Sequence, residues 1–301
     1  MTAPRTAAQI LAARPSNGAL ASLFSAGVEQ PLVHSNAALR ALRKARFSET
    51  PMQKALRVAR AAHAALARDG LAGCLAALDM MAREKSIAAD GLPDPDGALA
   101  TPDGLCGMVS DLSVDALMAA FGRGLYPSSH FGPLRWWAPA MRAVVRTADV
   151  LERDERADDE LALVFDSAFE DHLAADIDDA PLTPRLKWAY SALFDAGFAH
   201  CFEAFARDGA RVGSGFGVAV GDVFVLGALR IPSEGHARAF LHALARRLSE
   251  LGYEMIDARR PTWRAMALGF APMPRSVYNA RILLGLAHER IGKWSETAKA
   301  A

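Results

Sequence analysis

The chain has 301 residues, 51% of them apolar or aromatic, and its 34 Lys and Arg balance 34 Asp and Glu. That length suits one large or two ordinary domains with ample core material, while zero net charge argues against a protein that coats nucleic acid over its whole surface. Cys74, Cys106 and Cys201 are far apart, without CxxC or metal-ligand spacing, so a reduced, cytoplasmic chain without bound metal or cofactor is expected. No apolar run approaches the about 18 residues that span a bilayer, so no membrane partner is expected. Residues 1–28 hold Arg5 and Arg14 and no acid, which faintly resembles a transit peptide and better suits an N-terminal helix.

Residues 1–88 are rich in Ala, Leu and Arg and read as several short helices. The stretch KALRVARAAHAALARDG has apolar residues at helical spacing and a glycine stop at Gly70. Ala88 to Gly104 is dense in Pro, Gly and Asp and reads as linker and turns. In DLSVDALMAAFGRG, Ser113 caps a helix that stops at Gly122 or Gly124. RWWAPAMR follows, Arg135 to Arg142, and then a strand in MRAVVRT. LALVF reads as a strand. Thr183–Pro184 starts a helix ending at Gly197. AHCFEAFA alternates as a strand does. RVGSGFGVAVGDVFVLGALR reads as two strands joined at Gly221–Asp222. An amphipathic helix over 236–251 closes at Gly252, and YEMIDAR is a strand beyond it. This order indicates an α/β or α+β domain with a crossover helix.

Charge is uneven. Arg40 to Gly70 carries eight Lys or Arg and two Asp or Glu, whereas Leu151 to Ala180 carries two Arg and twelve Asp or Glu. Lys54, Arg57 and Arg60 recur every third residue. They form either a phosphate-binding stripe for RNA or an ordinary solvated helix face. Asp257 and Arg259, two apart on the predicted strand, share a face. They are either an ion pair at a sheet edge or residues of a cleft. His236, in the loop before the crossover helix, reads as a polar residue of the first helical turn.

LPDPDGALATPDGL, SDLSVDALMAAFGRGLYP and LRWWAPAMRAV, followed by GSGFGVAVGDVFVLG, MIDAR and LGFAPMPR, resemble in order the bacterial leucyl/phenylalanyl-tRNA–protein transferases. The most specific piece is the Trp-Trp-x-Pro-x-x-Arg pattern at Trp136, Trp137, Pro139 and Arg142. The resemblance covers residues 90–285. It implies an α+β chain with a helical extension (1–88), a small N-terminal domain (89–145), a GNAT-like mixed-sheet domain (146–290) and a tail (291–301). It also implies transfer of leucine or phenylalanine from aminoacyl-tRNA to the α-amine of a protein beginning with Lys or Arg, which tags that protein for degradation.

Carried over by position, the resemblance gives Asp257 as the family's catalytic Asp, with Arg259 beside it, and Trp136, Trp137, Tyr126 and Phe224 as substrate-binding aromatics. Gly269 and Arg275 match a late glycine and arginine. Four positions depart. Arg259 stands for the family's Gln, Gly227 for its Glu, Pro181 for a pocket Trp, and Ser128 for the Trp after Pro127. The family's basic tRNA helix is replaced by LERDERADDE. An N-acyltransferase using acyl-CoA, and an inactive homologue acting as a binding module, therefore stay open beside the transferase.

Overall fold

A computed structural model describes residues 37–83, 91–128, 134–153, 161–167, 169–174, 182–231, 234–288 and 290–294. Residues 1–28, Pro181 and most of LERDERADDE lie outside the described residues.

Two helices open this part of the chain. α1 spans Ala37–Phe47. α2 spans Pro51–Arg83 and is broken at Gly70, whose φ of 65° and ψ of −177° leave the helical region. Gly70 thus interrupts the helix rather than ending it, and helical geometry resumes on its far side. Thr50 and Gln53 start α2 with a reciprocal capping box: the Thr50 Oγ accepts the Gln53 N–H at 3.2 Å, and the Gln53 Oε1 accepts the Thr50 N–H at 2.8 Å.

α1 is fixed by one charged and one aromatic residue. The buried Arg43 guanidinium donates to Glu170 at 2.6 Å and to Asp195 at 2.5 Å. Phe47 is buried edge-on against Trp188, with ring centroids 6.0 Å apart. Arg46 pairs with Asp171. The basic first helix is therefore neutralised by part of the acidic stretch.

A three-stranded antiparallel sheet follows, in the order β1 (Leu105–Met108), β3 (Arg135–Trp137), β2 (Tyr126–Ser128). Between β1 and β2 runs α3 (Val114–Gly122), capped as expected by Ser113, whose side chain accepts the Ala116 N–H. β4 (Met141–Arg146) then enters a seven-stranded mixed sheet and is followed by α4 (Thr147–Arg153). The other strands are β5 (Leu161–Phe165), β6 (Ala199–Ala206), β7 (Arg211–Val220), β8 (Val223–Arg230), β9 (Met255–Asp257) and β10 (Ala271–Pro274). Their order is β10-β4-β9-β8-β7-β6-β5.

Most of this was expected locally. Gly221, at φ 55°, turns the β7–β8 hairpin against the backbone of Gly285. α5 (Phe169–Ala174) precedes α6 (Pro184–Asp195), where Thr183 caps the Leu186 N–H. α7 (Ala237–Glu250) is the crossover between β8 and β9, a parallel pair. The strand read in YEMIDAR, by contrast, stops at Asp257. Asp257 ends it itself, because its Oδ1 accepts the Arg259 N–H at 2.7 Å and Arg259 turns to φ 67°.

α8 (Trp263–Ala267) and α9 (Arg275–Gly285) complete the elements needed below. Alternation along the strands builds two apolar clusters. Phe216, Val218, Val220, Val223 and Val225 join Trp136, Trp137 and α6 in one. Phe224, Leu226 and Ala219 join α7, Tyr253 and Trp294 in the other. Trp294, assigned from sequence to the terminal tail, is thus a core residue. It is 5% exposed and stacks at 3.8 Å on His200. Together these elements form a mixed α+β structure.

Candidate active site

The RWWAPAMR segment crosses from the small sheet into the large one, and its two ends do different work. β3 lies between β1 and β2, with Trp137 opposite Leu105 and Tyr126, and Trp136 opposite Gly107 and Pro127. Both tryptophans are 1% exposed. Pro139 breaks the strand, and Arg142 then lies on β4, antiparallel to both β9 and β10.

At β9 the Asp257 carboxylate is fully enclosed. Its Oδ2 accepts from Arg142 Nη2 and from the Tyr278 hydroxyl, the latter at 2.6 Å, while Oδ1 holds the Arg259 N–H. The Arg142 guanidinium also donates to the Gly124 carbonyl at 3.2 Å and lies 4.3 Å from the Tyr278 ring centroid. Burial alone would lower the arginine's pKa, but the Asp257 charge and hydrogen bond together with the neighbouring Tyr278 and Tyr126 more than reverse this, so Arg142 stays charged. Burial, with the Asp257 charge and hydrogen bond adding to it, pushes the Tyr278 hydroxyl well above its ordinary value and keeps it a donor.

The Asp257–Arg259 ion pair, one of the two readings of the sequence, does not form. Asp257 pairs with Arg142 instead. Because the strand ends at Asp257, the two residues do not share a strand face. The positive φ at Arg259 costs on the order of 1–2 kcal/mol for a side-chain-bearing residue. The Asp257 Oδ1 bond holds that conformation. It sends the Arg259 guanidinium over the Tyr126 ring, 5.2 Å from its centroid, where Nη2 donates to the Gly227 carbonyl. Arg259 is half-buried there, and among the described residues no carboxylate pairs with its guanidinium.

Arg260 completes this wall. Its Nε donates to the Tyr126 hydroxyl at 3.0 Å, its Nη2 donates to the Asp103 carbonyl at 2.7 Å, and its guanidinium lies 5.0 Å from the Trp137 ring centroid. Arg68, from α2, is 5.8 Å from the same ring.

Gly227 is a glycine for a steric reason. A Cβ there would overlap the Phe216 ring, and Gly227 is skipped in the register between β7 and β8. Phe216 is itself packed at 5.2 Å on Tyr190, whose hydroxyl pKa burial raises. No acidic side chain fits at 227 without moving this pair.

The structure thus brings together Asp257, Arg259, Tyr126 and Trp137. It adds Arg142, Tyr278 and Arg260, to which sequence spacing assigned no part in the site. Phe224 is not among them. It points into the other cluster, against Trp294, Phe202 and Tyr253, because neighbours on β8 face opposite sides of the sheet. Trp136 is a core residue beside the wall. Ser128 lends its carbonyl to the Trp137 indole N–H at 3.4 Å.

The Lys54, Arg57 and Arg60 stripe lies on α2. Arg57 is clamped on Glu49 at 2.6 and 2.9 Å, while Lys54 and Arg60 are exposed. His236 lines a separate cavity of about 250 Å³ with Leu161, Ala206 and Arg207. That cavity is at β5, four strands from β9, or roughly 19 Å at about 4.8 Å per strand. Among the described residues, no three His, Cys, Asp or Glu side chains are grouped to hold a metal ion, and no helix is long and apolar enough to cross a membrane.

The family model for leucyl/phenylalanyl-tRNA protein transferase matches residues 143–283. The leucyl/phenylalanyl-tRNA–protein transferase of Xanthomonas campestris pv. campestris is 33% identical over 223 residues, covering 69% of this chain and 88% of the relative. Those of Thiobacillus denitrificans and Aromatoleum aromaticum are each 32% identical, covering 68% and 67% of this chain and 96% and 90% of theirs. A conserved Staphylococcus epidermidis protein of unknown function shares 12% identity and a TM-score of 0.32 over 44% of this chain and 57% of its own. That likeness is too slight to carry an argument. With one third of aligned positions identical across nearly the whole length of these relatives, the chain belongs to the leucyl/phenylalanyl-tRNA–protein transferase family.

Proposed function

We propose that the chain is an aminoacyltransferase that moves an aminoacyl group, leucyl or phenylalanyl by the family's name, from its tRNA ester to the α-amine of a protein or peptide. The observation that carries this reading is the Arg142–Asp257–Tyr278 lock beneath a wall of Tyr126, Trp137, Arg259 and Arg260. Two motifs of the family resemblance, Trp-Trp-x-Pro-x-x-Arg and MIDAR, converge there.

The chemistry asks little of a base. An α-amine has a pKa of about 7.7–8.0, so near pH 8 a large fraction is already the neutral nucleophile. A C–N bond forms at the ester carbonyl, the bond to the ribose oxygen breaks, and the amine proton ends on that oxygen. Holding the two partners in line supplies much of the rate, and cationic N–H groups beside the reacting carbonyl support the charge that develops on it. In this reading Trp137 and Tyr126 back the substrate site, Arg259 presents its N–H groups to it, Trp136 supports the wall from the core, and Phe224 packs on the opposite face of the sheet. Asp257 is a positioning residue. Its carboxylate is enclosed, and it acts by holding Arg142 and the turn at Arg259.

The seven-stranded sheet reads as GNAT-like, supported by the crossover helix α7 between the parallel strands β8 and β9. Residues 1–88, 89–145 and 146–290 read as extension, small domain and transferase domain. Lys54, Arg57 and Arg60 on α2 are the contact points proposed for tRNA.

The test is a transfer assay with radiolabelled leucyl- or phenylalanyl-tRNA and a panel of peptides differing only in the first residue. Labelled peptide supports the reading, and no labelled peptide with any charged tRNA refutes it.

A further inference from the structure

An acceptor beginning with Lys or Arg needs a carboxylate in the cleft to meet it, and among the described residues each carboxylate of this wall already faces a partner of its own. The position of the family's Glu is Gly227, whose side-chain space is filled by the Phe216 ring. Asp257 is enclosed by Arg142, Tyr278 and the Arg259 N–H. Asp103 accepts the Ala140 N–H at 3.0 Å and lies 4.0 Å from Arg260.

The charge that the wall does present is positive. Arg259 is half-buried and rests on an aromatic ring. One of its nitrogens bonds a carbonyl, and no carboxylate pairs with it among the described residues. Arg260 stands next to it, with its guanidinium over Trp137. A guanidinium with unused N–H groups on an aromatic wall matches the geometry of a carboxylate, which it can hold through two parallel bonds. A Lys or Arg side chain brought to the same place meets a like charge.

We propose that Arg259 makes this protein select acceptors whose first residue is Asp or Glu. The inference rests on the transferase reading and names its substrate class. The substitution of Gln by Arg and the loss of the Glu are then one coupled change of acceptor charge, made possible by Phe216 closing over Gly227.

The experiment pairs transfer with binding. Peptides identical except for Asp, Glu, Arg or Leu at position 1 are tested as acceptors with labelled leucyl- and phenylalanyl-tRNA. Their binding to the full chain is measured by fluorescence anisotropy. The expected result is at least a tenfold preference for Asp or Glu over Arg, by kcat/KM or by Kd.

Arg259→Gln should reduce the Asp-to-Leu and Glu-to-Leu ratios at least tenfold, and the ratio is the readout because any loss of support for the reacting carbonyl lowers all four peptides alike. Arg259→Lys should keep the direction of the preference with a smaller ratio, which separates a charge effect from a folding defect. Three results overturn the inference: a preference for the Arg peptide, a preference unchanged in Arg259→Gln, or an equal fall for all four peptides. The last would make Arg259 a support for the reacting carbonyl only. Arg259-dependent binding of the Asp peptide without any transfer would uphold the acidic acceptor site while sinking the transferase reading. Neither transfer nor binding would overturn both.

Discussion

Asp257→Asn removes one charge from a fully buried site and leaves every backbone atom in place. The parent pair is almost wholly enclosed, Arg142 at 1% and Asp257 at 0% exposure. The variant therefore strands a buried guanidinium without a counter-charge, with the Gly124 carbonyl, the Tyr278 oxygen and the new amide oxygen as neutral acceptors. Breaking a buried ion pair from one side costs about 3–5 kcal/mol. A domain of 150–250 residues loses about 2–4 °C per kcal/mol, so the melting temperature should fall by about 6–20 °C.

The assay is thermal unfolding by circular dichroism beside transfer activity at a temperature where both proteins are folded. A double variant, Arg142→Met with Asp257→Leu, should melt above Asp257→Asn, because an apolar pair leaves no unpaired charge. Asp257→Asn melting within 2 °C of the parent would refute the reasoning. It would mean that the carboxylate is not what holds Arg142, and that a direct chemical role for Asp257 deserves a new test.

Arg43→Met should release α1. The cost is about 2–3 kcal/mol, below that of a closed pair because the Glu170 and Asp195 side chains are about a quarter exposed, and faster proteolysis between residues 47 and 51 would report it. Gly227→Ala should destabilise by about 1–3 kcal/mol through overlap with Phe216, and Phe216→Leu in the same chain should recover part of the loss in urea titrations. Burial depresses the pKa of His172 and His200, the latter against the opposing pull of Asp166. The unfolded chain therefore binds their protons first on acidification. Their contribution is present above about pH 6.5 and lost as pH falls below it. Melts at pH 7.5, 6.5 and 5.5 should show a decline that flattens in His200→Gln, and a level profile would refute the assignment.

Local signals were legible wherever a few neighbouring residues decide the geometry. Gly221–Asp222 fixed a hairpin, Ser113 and Thr183 fixed helix starts, and the alternation in AHCFEAFA fixed a strand. The order of these elements was enough to expect an α+β chain with a crossover helix. What escaped was set by contacts between distant segments. Arg142 and Asp257 are 115 positions apart, and no spacing rule pairs them. The chain near Trp294 has the composition of a tail, yet it docks because Phe165, Phe224 and Tyr253 leave room for an indole. Phe224 carried a family role by position, but its strand parity faces it to the other cluster. The Arg259 turn did have a local signal, an Asp two residues before an N–H it can accept. The strand pattern of YEMIDAR masked it.

The neutralisation of α1 by Glu170, Asp171 and Asp195 affects how ionic strength will act on this protein. Added salt weakens phosphate contacts, and it equally weakens the half-exposed Arg46–Asp171 contact that fastens the extension to the body. A fall in tRNA affinity with salt would therefore sum two processes, counterion release from RNA and loosening of the chain's own helix. Only a variant with α1 fastened by an uncharged bond would count phosphates alone.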